Sequence, residues 1–260
     1  MKNFYRILVI LAILTTNVFI IRAQVDPPQD PSCYTDYYGC STWTAWSNWI
    51  TVYSMFSETG NCQMYALYKV RHCASDPTII EVWIGQFGII PPQPGEDCDA
   101  ALHYLFPNWP NTTPLDYDHA QKIKMKLYRQ AVIQEFGNIP VQNRPECGQD
   151  QPIKYGMSFP GSCSMMCSYK YIGNDEDKKG KTIFHETPCY ETYCCGKTYS
   201  VCWNPNTGEE EITEYTNGST TGNCDLPTGN PPFGRCYPEP DDYQFLEATD
   251  CSNSCNYGGE

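Results

Sequence analysis

Trp43, Trp46 and Trp49 recur at every third position of a short stretch that follows Cys40, and Lys69 and Arg71 alternate shortly before Cys73. Rings repeating at that interval project to one side of an irregular extended strand, so that cations from a neighbouring strand fit between them. Each such contact contributes about 0.5–2 kcal/mol, depending on how far the cation is desolvated. These five residues are the binding candidates of the chain, an aromatic and basic face. Other chemistry is sparse. The four histidines are His72, His103, His119 and His185, and none sits in a metalloprotease helix signature, a nucleophile elbow or a phosphate loop. His185-Glu186 beside Pro188, and Asp116, Asp118 and His119, are the compact acid and imidazole groups. The second reads as helix capping rather than catalysis. Carboxylates cluster at Glu96, Asp97 and Asp99, at residues 175–177, at 209–211 and at 239–242. They lack the loop spacing of a calcium site and read as solvated surface. No catalytic residue, metal ligand or cofactor is assigned, and no enzymatic activity is read from the sequence.

The cysteines define the class of protein. Cys33, Cys40, Cys62, Cys73, Cys98, Cys147, Cys163, Cys167, Cys189, Cys194, Cys195, Cys202, Cys224, Cys236, Cys251 and Cys255 make an even set of 16, enough for eight bridges. Connectivity does not follow from sequence, although local links such as Cys62 with Cys73 across a hairpin, Cys163 or Cys167 with a neighbouring strand, and Cys251 or Cys255 tying back the tail are expected. Cys194 and Cys195 face opposite ways on a strand and so take different partners. Cys163 and Cys167, like Cys251 and Cys255, have a spacing open to zinc, but no Cys-x-x-Cys pair exists, and oxidation is the preferred reading.

Elements must position these groups. Residues 51–56, 63–71 and 78–90 are β-branched and aromatic between turn signals and are expected to be strands. A helix follows at about 114–136, with Thr113 as N-cap, Pro114 as first residue and Asp116 as the capping carboxylate. Ala120, Ile123, Leu127 and Ala131 form its apolar stripe, widened by Tyr128, Val132 and Phe136, while Lys122, Lys124, Lys126 and Arg129 are expected on a solvated face. Hairpins are expected at 189–215 around the turn 204–208, and at 170–185 around the charged stretch 174–180. The fold expected is mainly β (α+β), a disulfide-rich protein of small antiparallel sheets with that one long amphipathic helix.

The Trp series and the ten residues between Cys62 and Cys73, with basic residues at the seventh and ninth, resemble the thrombospondin type 1 repeat over residues 40–73. Twelve residues separate Trp49 from Cys62, a longer spacing than that family has. The resemblance implies an elongated three-stranded module serving adhesion or the binding of glycan or protein, with mannosylation of the first Trp residues in a eukaryotic host.

Address and composition narrow the remaining choices. Lys2 and Arg6, the apolar run 7–21 and Ala23 have the layout of a secretory signal over residues 1–23. Its Ala-Gln end resembles exports of Bacteroidota. Removing it leaves 237 residues and moves the formal charge from -13 to -16. That acidity argues against nucleic acid as a partner. Cysteine makes up close to 7% of those 237 residues, which excludes an ordinary cytosolic enzyme. Asn111 and Asn217 begin acceptor tripeptides for glycosylation. The layout is a signal (1–23), a flexible lead (24–32), an aromatic β region with the helix (33–145) and a Cys-rich β-hairpin region with a loop-rich tail (146–260). No transmembrane segment is expected after signal removal, and the location is secreted, cell-surface or periplasmic. These features point to an extracellular binding or adhesion protein. The alternatives are a structural accessory subunit of a cell-envelope complex, and a secreted hydrolase with dispersed carboxylates.

Overall fold

The computed structural model describes residues 40–92, 98–111, 114–159, 163–188, 195–218, 236, 242–249 and 252–253. The signal, the lead, Cys33, Cys189, Cys194, Cys224, Cys251, Cys255 and Thr113 lie outside them. The strands are β1 (Ile50–Ser54), β2 (Gln63–His72), β3 (Ile79–Ile90), β4 (Ile153–Phe159), β5 (Cys163–Tyr171), β6 (Thr182–Pro188), β7 (Cys195–Asn204), β8 (Glu209–Gly218), β9 (Tyr243–Ala248) and β10 (Ser252–Asn253). The helices are α1 (Asp99–Leu105) and α2 (Tyr117–Gly137). The fold is mainly β with one long helix, as the composition and periodicity predict. Both expected hairpins form, as β5–β6 and β7–β8.

The strands join in one mixed sheet rather than in several small antiparallel ones, and β3 is the reason. It is twelve residues long and buried over nearly its whole length. Along one edge it pairs with β2; along the other it pairs first with β4, in parallel, and then with β6. Strands from either side of residue 145 therefore share one sheet, whereas each of the disulfides among the described residues stays on one side of it.

Alternation along β2 sends its two faces to different places. Met64, Ala66, Tyr68 and Val70 enter the main core, where α2 packs. Tyr65 joins a smaller cluster with Cys167, Tyr169 and Ile183 on the other face. Gly85 is the extra residue of a bulge in β3, because Leu67 pairs with Gln86 while Tyr68 pairs with Ile84. The bulge turns both Ile84 and Phe87 into the core.

Helix α2 starts three residues later than the sequence predicts. Asp116, not Thr113, is its N-cap, with the carboxylate accepting the His119 N–H at 3.0 Å. The predicted apolar stripe is entirely buried. Full burial of a residue such as Ile123 or Leu127 contributes about 1.5–3 kcal/mol. Two polar residues of the helix are buried too, Gln121 and Lys124. Lys124 thus leaves the expected solvated face and pairs with Glu186 of β6. The Glu186 side chain is itself buried and also accepts from Tyr117 of the same helix, so a carboxylate is in place for the enclosed ammonium.

The disulfides correct the expected links. Cys40 bonds to Cys73 and Cys62 to Cys98, so Cys62 and Cys73 are not partners. They flank the two ends of β2, ten residues long, and at about 3.3 Å per residue no bridge spans that distance. Cys147 bonds to Cys202, and Cys167 to Cys236, which lies outside any strand. These bonds fit an oxidising environment. No helix among the described residues is long and apolar enough to cross a membrane.

Candidate functional site

Residues 42–49 run beside the end of β2, and their period of three has a physical origin. The Thr44 N–H donates to the His72 carbonyl (2.9 Å), and the His72 N–H donates back to the Thr44 hydroxyl (2.9 Å). Ser47 does the same with Val70, at 2.8 and 3.0 Å. Three residues of this segment therefore match two residues of β2. The hydroxyls after Trp43 and Trp46, Thr44 and Ser47, accept the hydrogen bonds that backbone carbonyls accept in a regular ladder. Two residues of β2 advance about 6.6 Å, enough for one cation between successive rings. Ala74 N–H to the Thr42 carbonyl (2.8 Å) and the Cys40–Cys73 bond close the far end.

All five predicted residues meet in this geometry. The Arg71 guanidinium lies 4.9 Å from the Trp43 ring and 4.4 Å from Trp46, and the Lys69 ammonium lies 4.6 Å from Trp49. The three rings and Lys69 are half-buried. Arg71 is different, being only 5% exposed and bonded through Nε to Glu81 of β3 at 2.5 Å, with Glu81 1% exposed. Its charge holds the stack together from within, so the outward contact surface falls to the three half-buried rings and Lys69.

Three neighbours of this stack escaped the sequence reading. Glu81 and Trp83 pair with Arg71 and Lys69 across the sheet, and a Cβ at Gly85 would overlap the Trp49 ring. Glycine is required there because the ring rests on the bulge itself. The signal for Glu81 and Trp83 was present in their alternation, which mirrors that of Lys69 and Arg71. It becomes legible only once the register is known. Beneath the bulge, His185 donates from Nδ1 to the Gly85 carbonyl at 3.3 Å. Burial lowers its pKa to about 4, against an opposing contribution from that hydrogen bond.

His185 and Glu186 do not form one site, because adjacent strand residues face opposite sides. Glu186 points under α2 and accepts from Lys124, Ser164 and Tyr117, the last at 3.0 Å. Burial first, and then the Glu186 charge, raise the Tyr117 hydroxyl well above its ordinary pKa. This buried network locks the first half of α2 to β5 and β6. His119 stacks on Tyr104 with ring centres 4.1 Å apart and donates to the Tyr104 carbonyl at 2.7 Å, so that group caps and anchors α2. Cys147, Cys202 and Glu211 lie together, but the two sulfurs are bonded to each other and offer no thiolate to a metal. Asn111 is exposed after α1, and Asn217 falls on β8. No protein-family model, curated protein or solved structure matches this chain.

Proposed function

We propose that this chain is a secreted, disulfide-stapled binding protein that engages an extracellular protein or glycan through the edges of Trp43, Trp46 and Trp49 together with Lys69. The observation that supports this reading is the single alternating stack formed by the five residues beside β2, with the three rings and Lys69 half-buried and Arg71 enclosed within it. Fixed aromatic edges beside a cation offer large contact area with little conformational entropy left to lose on binding. The Cys40–Cys73 bond and the Arg71–Glu81 pair hold that surface in advance of any partner.

The test is an array of extracellular proteins and glycans probed with the oxidised full chain. Each hit is then measured against Trp46→Ala and Lys69→Met, with circular dichroism reporting the fold. A loss of at least about tenfold in affinity with the fold intact supports the surface. Affinity unchanged in both variants removes it.

A further inference from the structure

A groove separate from the Trp stack lies between the end of β1 and the middle of α2. Met55, Phe56, Ser57 and Glu58 form one wall and Lys126, Arg129 and Gln130 the other, enclosing about 300 Å³. That volume is at the lower end of the range for small-molecule sites, about 300–1,000 Å³. Its first wall is rigid. A short turn at Ser57–Thr59 is held by the Thr59 hydroxyl, which donates to the Phe56 carbonyl at 3.0 Å and accepts the Phe56 N–H at 3.3 Å. The Cys62–Cys98 bond follows directly. Its second wall is the interior of a 21-residue helix.

The chemistry of the lining is selective. Lys126 is ion-paired with Glu58 and sits 5.5 Å from the Phe56 ring, so its charge is met within the groove. That contact with Lys126 is the first cause of the lowered pKa of Glu58. Arg129 is exposed and has no ion-pair partner among the described residues. Two cations against one carboxylate leave a net positive groove in a chain whose net charge is -13. Beside the guanidinium stands an apolar surface open to solvent, with Met55 61% exposed and Phe56 half-buried. A planar fork of donors next to an apolar shelf is complementary to a carboxylate carried on an apolar body.

We propose that this groove binds a carboxylate-bearing apolar ligand, with Arg129 gripping the carboxylate and Met55 and Phe56 packing the apolar part. A free organic acid and the carboxyl end of a peptide share that chemistry. The Met55 methyl resonance of the oxidised full chain, assigned by its loss in Met55→Leu, reports occupancy in titrations with 4-phenylbutyrate and with acetyl-glycyl-leucine. The amide of each acid serves as control. Saturable shifts with the acids are expected, with the amides and Arg129→Gln each weaker by at least about tenfold. Tighter binding of phenylbutyrate identifies a free acid as the source, and tighter binding of the peptide identifies a chain end. No saturable shift up to about 10 mM overturns the proposal, as does equal binding by acid and amide or by Arg129→Gln.

Discussion

Two arginines among the described residues are sandwiched between aromatic rings, and they are held in different ways. Arg71 lies between Trp43 and Trp46. Arg144 lies between Phe136 at 5.3 Å and Trp203 at 4.9 Å. Arg71 is buried and has a buried carboxylate, Glu81, as its partner. Arg144 is half-buried and has backbone carbonyls instead, donating to Ile139 at 2.9 Å and Gly137 at 3.0 Å at the end of α2. A guanidinium removed from water needs a full opposite charge nearby. One that keeps some water is served by the negative end of a helix dipole and the unsatisfied carbonyls there. The rings alone do not solve the charge problem in either place.

The largest effect is expected where the opposite charge is removed. Glu81→Gln leaves Arg71 buried without its carboxylate and should destabilise the fold by about 3–5 kcal/mol in urea unfolding, with altered Trp fluorescence. A loss below about 1 kcal/mol would mean that the pair behaves as a solvated surface bridge, and the contrast with Arg144 would collapse.

Acid should reach the Arg71 side through His185. Its folded pKa is about 4, below its ordinary 6.5, so between those values the unfolded chain holds a proton that the folded one does not. Its contribution is therefore complete above pH 6.5 and declines as pH falls towards 4, by about 3 kcal/mol in total. The stability of the wild type should drop more steeply between pH 7 and 5 than that of His185→Asn. Equal slopes would assign the drop to other groups.

Gly85→Ala places a methyl group against the Trp49 ring and should cost about 1–3 kcal/mol through displacement of the ring. The near-ultraviolet circular dichroism of the Trp stack should change with it, and an unchanged spectrum would show that the bulge does not support the ring.

Arg144→Gln removes two carbonyl contacts and two ring contacts from a half-exposed site and is expected to cost only about 1–2 kcal/mol. If it equals Glu81→Gln in cost, burial is not what separates the two arginines.

The two stacks also differ in how far they can be read from the chain. Trp43, Trp46 and Trp49 share one short segment, and Lys69 and Arg71 share one strand, so a period of three beside a period of two already reveals the interleaving. Glu81 and Trp83 become part of it only through the register between β2 and β3. The Arg144 stack draws its parts from the end of α2, the loop after it and β7, which no local spacing connects. Lys124 shows the same limit. Its helical spacing places it beside other cations, and only the packing of α2 on β5 and β6 puts it inside, against Glu186.

Sequence by itself determined the periods: the apolar stripe of α2, the hairpins, the alternation along β2 and the aromatic-cation interleaving. Those follow from backbone geometry that repeats over a few residues. Tertiary structure decided which cysteines meet, which charges are buried, and that β3 gathers the strands into one mixed sheet. They depend on contacts between strands and helices whose pairing no local period fixes, such as Cys40 with Cys73 across a separation of 33 and Lys124 with Glu186 across 62. Chain connectivity leaves such contacts open until the core has formed.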